Sequence, residues 1–207
     1  MKPRSLVAAA NALCVAGCAG HADLSMIPLD TKRIDAKAPL VIRVEPDECY
    51  FWINDQQELC VAMRSARGSI LGKRFQNEFL LSLVVKGVPA GGGREYRMDR
   101  LTARAKHHAG FAHTRAASLS GILAVWDYRQ NHLRGRFRFT AKQQSYSVLT
   151  DWTGNYPLLF VGEFSAVHNE AAGKELLART EEGSMSRSEP EPKRTVVPSP
   201  ETAGDSK

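Results

Sequence analysis

The chain has 207 residues, 43% of them hydrophobic and 24% charged, with 16 glycines, 10 prolines and four cysteines. This composition excludes a collagen-like or wholly disordered polymer, and the length favours one domain, or one domain with tails. No apolar run reaches the roughly 18 residues that a spanning helix needs, which excludes a polytopic helical membrane protein.

The formal charge of +6 is unevenly spread. Residues 64–142 hold 16 Lys or Arg against four acids, and residues 170–207 hold six against eight. A basic middle points to an anionic partner, with a merely solvated basic surface as the plain alternative.

At the start of the chain, Lys2 and Arg4 precede a mostly apolar stretch from Leu6 to Val15. Ala16 and Gly17 then lead to Cys18. This is the three-part layout of a secretory signal, and the apolar part is too short for a stable transmembrane helix. Val15-Ala16-Gly17-Cys18 resembles the lipobox of bacterial lipoproteins, a resemblance that covers residues 1–18. It implies removal of 1–17, a diacylglycerol on the Cys18 thiol, a further acyl chain such as palmitate on the new amino group, and anchoring in the cell envelope. Ala19, where an aspartate would favour retention in the inner membrane, implies the outer membrane. Gly20 and Ala22 offer a rival reading, with ordinary cleavage after Ala22. Two or three acyl chains on one residue anchor firmly, whereas one anchors marginally. Residues 18–38 read as a tether with at most one early strand.

Cys14 falls in the signal and Cys18 would carry lipid. That leaves Cys49 and Cys60 as a pair outside the cytoplasm, where disulfides persist. If Asn54 and Asp55 form a two-residue hairpin loop, Ile53 faces Gln56 and Cys49 faces Cys60, within disulfide reach. The ten-residue gap suits neither a CxxC redox site nor zinc.

Residues 39–180 read as one β-rich domain. Pro39 to Glu45 is a strand through Leu40, Ile42 and Val44. Asn77 to Lys86 holds a near-continuous apolar run, which suits a strand covered on both faces. Lys86 to Arg94 is a loop. Its Gly91-Gly92-Gly93 triplet lacks a following Gly-Lys-Ser/Thr and announces no phosphate loop. Glu95 to Lys106 reads as one strand with a bulge near Asp99, where the apolar parity changes. Leu119 to Tyr128 is a further strand, and Gln130-Asn131-His132 a turn.

From Leu133 to Lys142 the alternation is complete. Leu133, Gly135, Phe137, Phe139 and Ala141 can face a core, while Arg134, Arg136, Arg138, Thr140 and Lys142 face water. Ser145 to Thr150 and Pro157 to His168 are two more strands around a loop at 151–156. Asn169 suits the N-cap of a helix over Glu170 to Thr180. Residues 181–207 read as a disordered tail. Eight or nine strands without alternating long helices predict an antiparallel β-sandwich or barrel.

His107, His108 and His113 invite a metal. Neighbouring histidines on a strand point to opposite faces, and Lys106 and Arg115 repel a cation, so a polar hairpin turn fits better. No Gly-x-Ser-x-Gly elbow is present. Asp151 and His168 have no serine at a telling spacing, and Glu163, Asp127 and Asp151 are scattered acids rather than an opposed pair. The sequence therefore indicates no cofactor and no metal.

Arg134, Arg136, Arg138 and Lys142 on one strand face suit phosphate or carboxylate recognition. Outside the cytoplasm the available anions are lipopolysaccharide phosphates, acidic glycans and peptidoglycan carboxylates, and export argues against nucleic acid. Trp126, Tyr128, Trp152 and Tyr156 flank the region and either stack on sugars or pack internally. The expectation is a lipid-anchored envelope protein with a binding or structural role. The alternative is a secreted hydrolase acting on an envelope or polysaccharide substrate. Protein partners are not indicated.

Overall fold

The computed structural model describes residues 20–29, 41–67, 77–90, 93–109, 112–147 and 153–182. The chain order is β1 (His21–Pro28), β2 (Ile42–Val44), β3 (Glu48–Ile53), β4 (Glu58–Arg67), β5 (Asn77–Lys86), β6 (Arg94–Met98), β7 (Ala103–Ala109), β8 (Ala112–Arg129), β9 (His132–Ser147), β10 (Thr153–His168) and α1 (Glu170–Glu181). The protein is mainly β, as expected, and of the two expected architectures it adopts the barrel. Ten strands form where eight or nine were anticipated.

Seven strands close the barrel in the order β10-β3-β4-β5-β7-β8-β9 and back to β10. Every contact round the ring is antiparallel except the parallel seam between β10 and β3, made by Val167 with Tyr50 and His168 with Phe51. The stagger follows from the register. Val167 leads through Tyr50, Ala62, Ser82, Arg104, Ala117 and Lys142 back to Pro157, ten residues from the start. Ten steps of ~3.3 Å against seven strand widths of ~4.8 Å tilt the strands about 45° from the barrel axis.

The long strands β8, β9 and β10 outrun the ring and carry the remaining strands. β6 pairs with β8 beyond β7, β1 pairs with β10 beyond β3, and β2 pairs with β1. One continuous core fills the interior. Phe51, Val61, Leu81, Leu83, Leu123, Leu133, Phe137, Phe139, Phe160 and Phe164 are among its members. The alternation along β9 is as read: Leu133, Gly135, Phe137, Phe139 and Ala141 are buried, while Arg134, Arg136, Arg138 and Lys142 are exposed.

α1 lies outside the barrel. Its Leu176 and Leu177 pack on Trp52, Cys60, Ala62 and Leu80, the outward residues of β3, β4 and β5. The apolar run of β5 is therefore covered on both faces. Asn169 caps the helix as expected, its side-chain oxygen accepting from the Ala172 N–H at 3.1 Å. At the other end the Lys106 ammonium donates to the carbonyls of Arg179 and Glu182, which complements the negative pole of the helix.

Four sequence expectations are corrected. The Cys49–Cys60 disulfide does not form, and both are free, buried thiols. The hairpin loop is three residues, Asp55 to Gln57, rather than two. Asn54 Oδ1 accepts from the N–H groups of Gln56 and Glu58, and Gln57 turns the chain at φ 57. This sets Ile53 opposite Leu59, Cys49 opposite Met63 and Trp52 opposite Cys60. The offset from the expected register is an odd number of residues, so Cys49 points into the barrel and Cys60 out under α1.

The single strand expected over Glu95 to Lys106 is two, β6 and β7. The parity change at Asp99 is a turn, with Leu101 at φ 70 and the Thr102 hydroxyl donating to Asp99 Oδ1. Ser145 does not open a new strand but continues β9. The tether contains β1, which is paired on both sides. The signal segment and lipobox at 1–18 and the tail beyond Glu182 lie outside the described residues.

Candidate functional site

The outward face of β6, β8, β9 and β10 collects the cations that the sequence singled out. The cross-strand rows are explicit. Arg97, Ile122, Arg138 and Val161 form one, and Glu95, Ala124, Arg136 and Glu163 the next. Beyond them Arg134 pairs with Asp127 on one side and Ser165 on the other, and Ser165 pairs with His21 of β1. A groove of about 410 Å³ crosses these rows, walled by Arg136, Arg138, Glu95 and Glu163 with Ile122 and Val161 beside them. Among the described residues, Arg134, Arg136, Arg138 and Lys142 make no ion pair. The Arg134 Nε–H donates to His132 Nε2 at 3.2 Å. Guanidinium forks without a carboxylate partner at every second position of a stiff strand can each engage a phosphate or carboxylate bidentately.

Sequence reasoning missed the apolar partner of this arginine row. β8 carries two bulges, between Ser118 and Ser120 and between Val125 and Asp127. The inserted residues, Leu119 and Trp126, are each 47% exposed, and Ile122 between them is 52% exposed. An apolar stripe therefore runs along β8 beside the arginines of β9. The bulges shift the parity of β8, which hides the stripe from a simple two-residue pattern. Of the other aromatic candidates, Tyr128 is half-buried and packs against the core, edge-on to Phe51 at 6.1 Å. Trp152 and the Tyr156 side chain lie outside the described residues.

A second cleft of about 470 Å³ lies between β5, β6, the turn before β7 and the end of α1. Lys86, Arg94, Arg97, Arg100 and Arg104 are nearly balanced there by Glu58, Glu95, Asp99 and Glu181, and Arg104 pairs with Glu181 at 2.5 Å. Such a mixed wall selects no sign of charge. Among the described residues, the buried Tyr96 hydroxyl and Arg104 Nε, on two residues that line this cleft, have no hydrogen-bond partner.

The histidines divide as strand geometry requires. His107 points to Asn77 Oδ1 at 2.7 Å and to the Phe79 ring, whereas His108 lies edge-on to His113 across the β7–β8 hairpin at 4.4 Å. Burial lowers the pKa of both His107 and His108, and the neighbouring His113 and Lys106 lower that of His108 further. No group of three or more His, Cys, Asp or Glu among the described residues is placed to hold a metal ion.

For the hydrolase alternative, Asp151 lies outside the described residues, and His168 packs on the Phe51 ring at 5.4 Å. Ser165 Oγ lies 3.2 Å from His132 Nε2, but that nitrogen also accepts from Arg134. Neither Ser165 nor His132 lines either cleft. Burial pushes the Cys49 thiol up and the Cys60 thiol up to about 12, so neither is a ready nucleophile.

No family model, curated protein or solved structure matches this chain.

Proposed function

We propose that this protein is a lipid-anchored component of the cell envelope, of the outer membrane in the sense the lipobox resemblance implies, with a non-enzymatic role in binding anionic ligands through the outward face of β9. One observation carries the binding reading. Arg134, Arg136 and Arg138 stand exposed at alternate positions, with Lys142 exposed beyond Thr140 on the same face, while Gly135, Phe137, Phe139 and Ala141 are buried. A fixed cation spacing of about 6.7 Å suits a repeating polyanion or a sheet of headgroups better than one small ion.

The course of β1 supports a cut before Cys18 over a cut after Ala22. Ala22 is buried, and its N–H donates to the Pro46 carbonyl at 3.0 Å. Gly20 packs against the Ser165 and Cys49 carbonyls so closely that a side chain has no room. Cleavage after Ala22 removes both contacts, whereas cleavage before Cys18 leaves them whole.

Replacing Cys18 with Ser is expected to release the protein from membranes, and unchanged fractionation of that variant refutes the anchor. On a heparin column the Arg134→Gln, Arg136→Gln, Arg138→Gln triple variant is expected to elute at clearly lower salt than the parent, because exposed charge pairs are screened by added salt. Coincident elution refutes the binding face.

A further inference from the structure

We infer that the anion this face takes is the headgroup layer of the bilayer itself, engaged with the Trp126 and Arg134 end leading. The inference rests on the anchored-envelope reading and names the ligand for it.

The chemistry of two neighbouring strands points there. Along β8 the outward residues Leu119, Ile122 and Trp126 are apolar and half exposed, and along β9 the outward residues Arg134, Arg136 and Arg138 are cationic. In register, Ile122 and Val161 bracket Arg138, and the bulge sets Trp126 next to the Asp127–Arg134 pair. A soluble polyanion uses the arginines and leaves the apolar stripe in water. A headgroup layer uses both: phosphates accept from the guanidinium groups, and indole and aliphatic side chains settle at the boundary between headgroups and acyl chains.

The opposing charges are on the same face. Glu95 and Glu163 flank Arg136 in one row, and Asp127 pairs with Arg129 at 3.1 Å. Arg138, bracketed by apolar residues, and Arg134, at the strand's end, therefore carry most of the attraction.

Chain length sets the orientation. A lipid on Cys18 is separated from the packed Gly20 by Cys18 and Ala19 alone, about 7 Å of extended chain. His21 opens β1 in the row that runs through Ser165 to Arg134, two strand spacings or roughly 10 Å away. The end of the barrel that bears Arg134 and Trp126 is thus the part of the arginine row nearest the anchor, within about 20 Å of the lipid-bearing residue or two to three Debye lengths of roughly 8 Å, and the row climbs away from it.

The test is sedimentation of the full chain carrying Cys18→Ser with phosphatidylcholine vesicles, with and without phosphatidylglycerol. The apolar N-terminal segment is common to every variant and both vesicle types, so it cancels. Binding is expected to strengthen with phosphatidylglycerol and to weaken with salt. The Arg134→Gln, Arg136→Gln, Arg138→Gln variant is expected to lose about tenfold or more of that gain. Trp126→Ala is expected to lose severalfold, with parental elution from heparin.

A control variant, Lys86→Gln, Arg100→Gln, Lys174→Gln, removes equal charge from other surfaces and is expected to keep the gain. Equal loss in the control, or binding indifferent to phosphatidylglycerol, overturns the inference. Salt-sensitive heparin retention without any phosphatidylglycerol preference overturns it while leaving the anion-binding reading intact. Loss of both removes the two together.

Discussion

The inner face of β9 and β10 is filled by aromatic rings laid over cross-strand glycines. Phe137 faces Gly162 and Phe164 faces Gly135, while Phe139 stacks on Phe160 at 4.8 Å and 7°. A side chain added at Gly162 would meet the tip of Phe137 at 2.7 Å and the Asp23 carbonyl at 2.8 Å. Gly162→Ala is therefore expected to destabilise the fold by about 1–3 kcal/mol, the usual cost of overpacking. Urea unfolding measures it, and an unchanged midpoint contradicts this packing.

Titration acts at the same scale. His107 and His108 have folded pKa values below the ordinary 6.5, so the unfolded chain takes up protons first as pH falls. Their contribution is whole above 6.5 and declines below it. Glu78, held low by hydrogen bonds from Arg64 and Arg179 that outweigh its partial burial, adds a loss of the same sign at more acid pH. Thermal melts from pH 7.5 down to pH 4 should show Tm falling in two stages, the histidines first and Glu78 at more acid pH, and His108→Gln should flatten the first. A Tm that rises on acidification refutes the assignment.

Elements differed in how far the sequence disclosed them. β9 was legible because one side of it is buried at every second position and the other carries charge, and α1 because Asn169 is a strong cap before a helical run. β5 was legible in place and extent. Turn length was not. Asn54 and Asp55 suit a two-residue loop by composition, yet the Asn54 side chain holds two backbone N–H groups and draws Gln57 into the left-handed region. The break between β6 and β7 depends on Leu101 at positive φ, which its residue type does not announce. The arginines of the candidate site could be read directly, but the apolar stripe beside them depends on two bulges that only strand pairing reveals.

The hairpin register has a chemical consequence. Cys49 and Cys60 sit on opposite faces of the barrel wall, so reductant is expected to leave Tm unchanged, and both thiols should resist alkylation until the protein unfolds. Calorimetry with and without reductant checks this, and a reductant-dependent fall in Tm restores the disulfide.

For the molecule as a whole, closure is the weak step. The ring shuts by two parallel residue pairs between β10 and β3, whereas β9 is paired along nearly its whole length on both sides. What reinforces the seam is the chain that follows it. The Asn169 N–H donates to the Phe51 carbonyl, and α1 then crosses the outward faces of β3, β4 and β5, burying Leu176 against Trp52. Glu78 of β5 receives Arg64 of β4 and Arg179 of α1, and Arg64 also reaches Glu48 of β3. Helix and ion network thus bind the strands on one side of the seam to the end of β10 on the other. Ending the chain after His168 removes that strap and exposes Trp52, Ala62 and Leu80. The truncated chain is expected to lose its cooperative thermal transition and to bind an apolar dye such as ANS, while Leu176→Ala in the full chain loses about 2–5 kcal/mol and stays cooperative. A truncated chain that melts as sharply and as high as the full one would show that the two residue pairs suffice to hold the barrel shut.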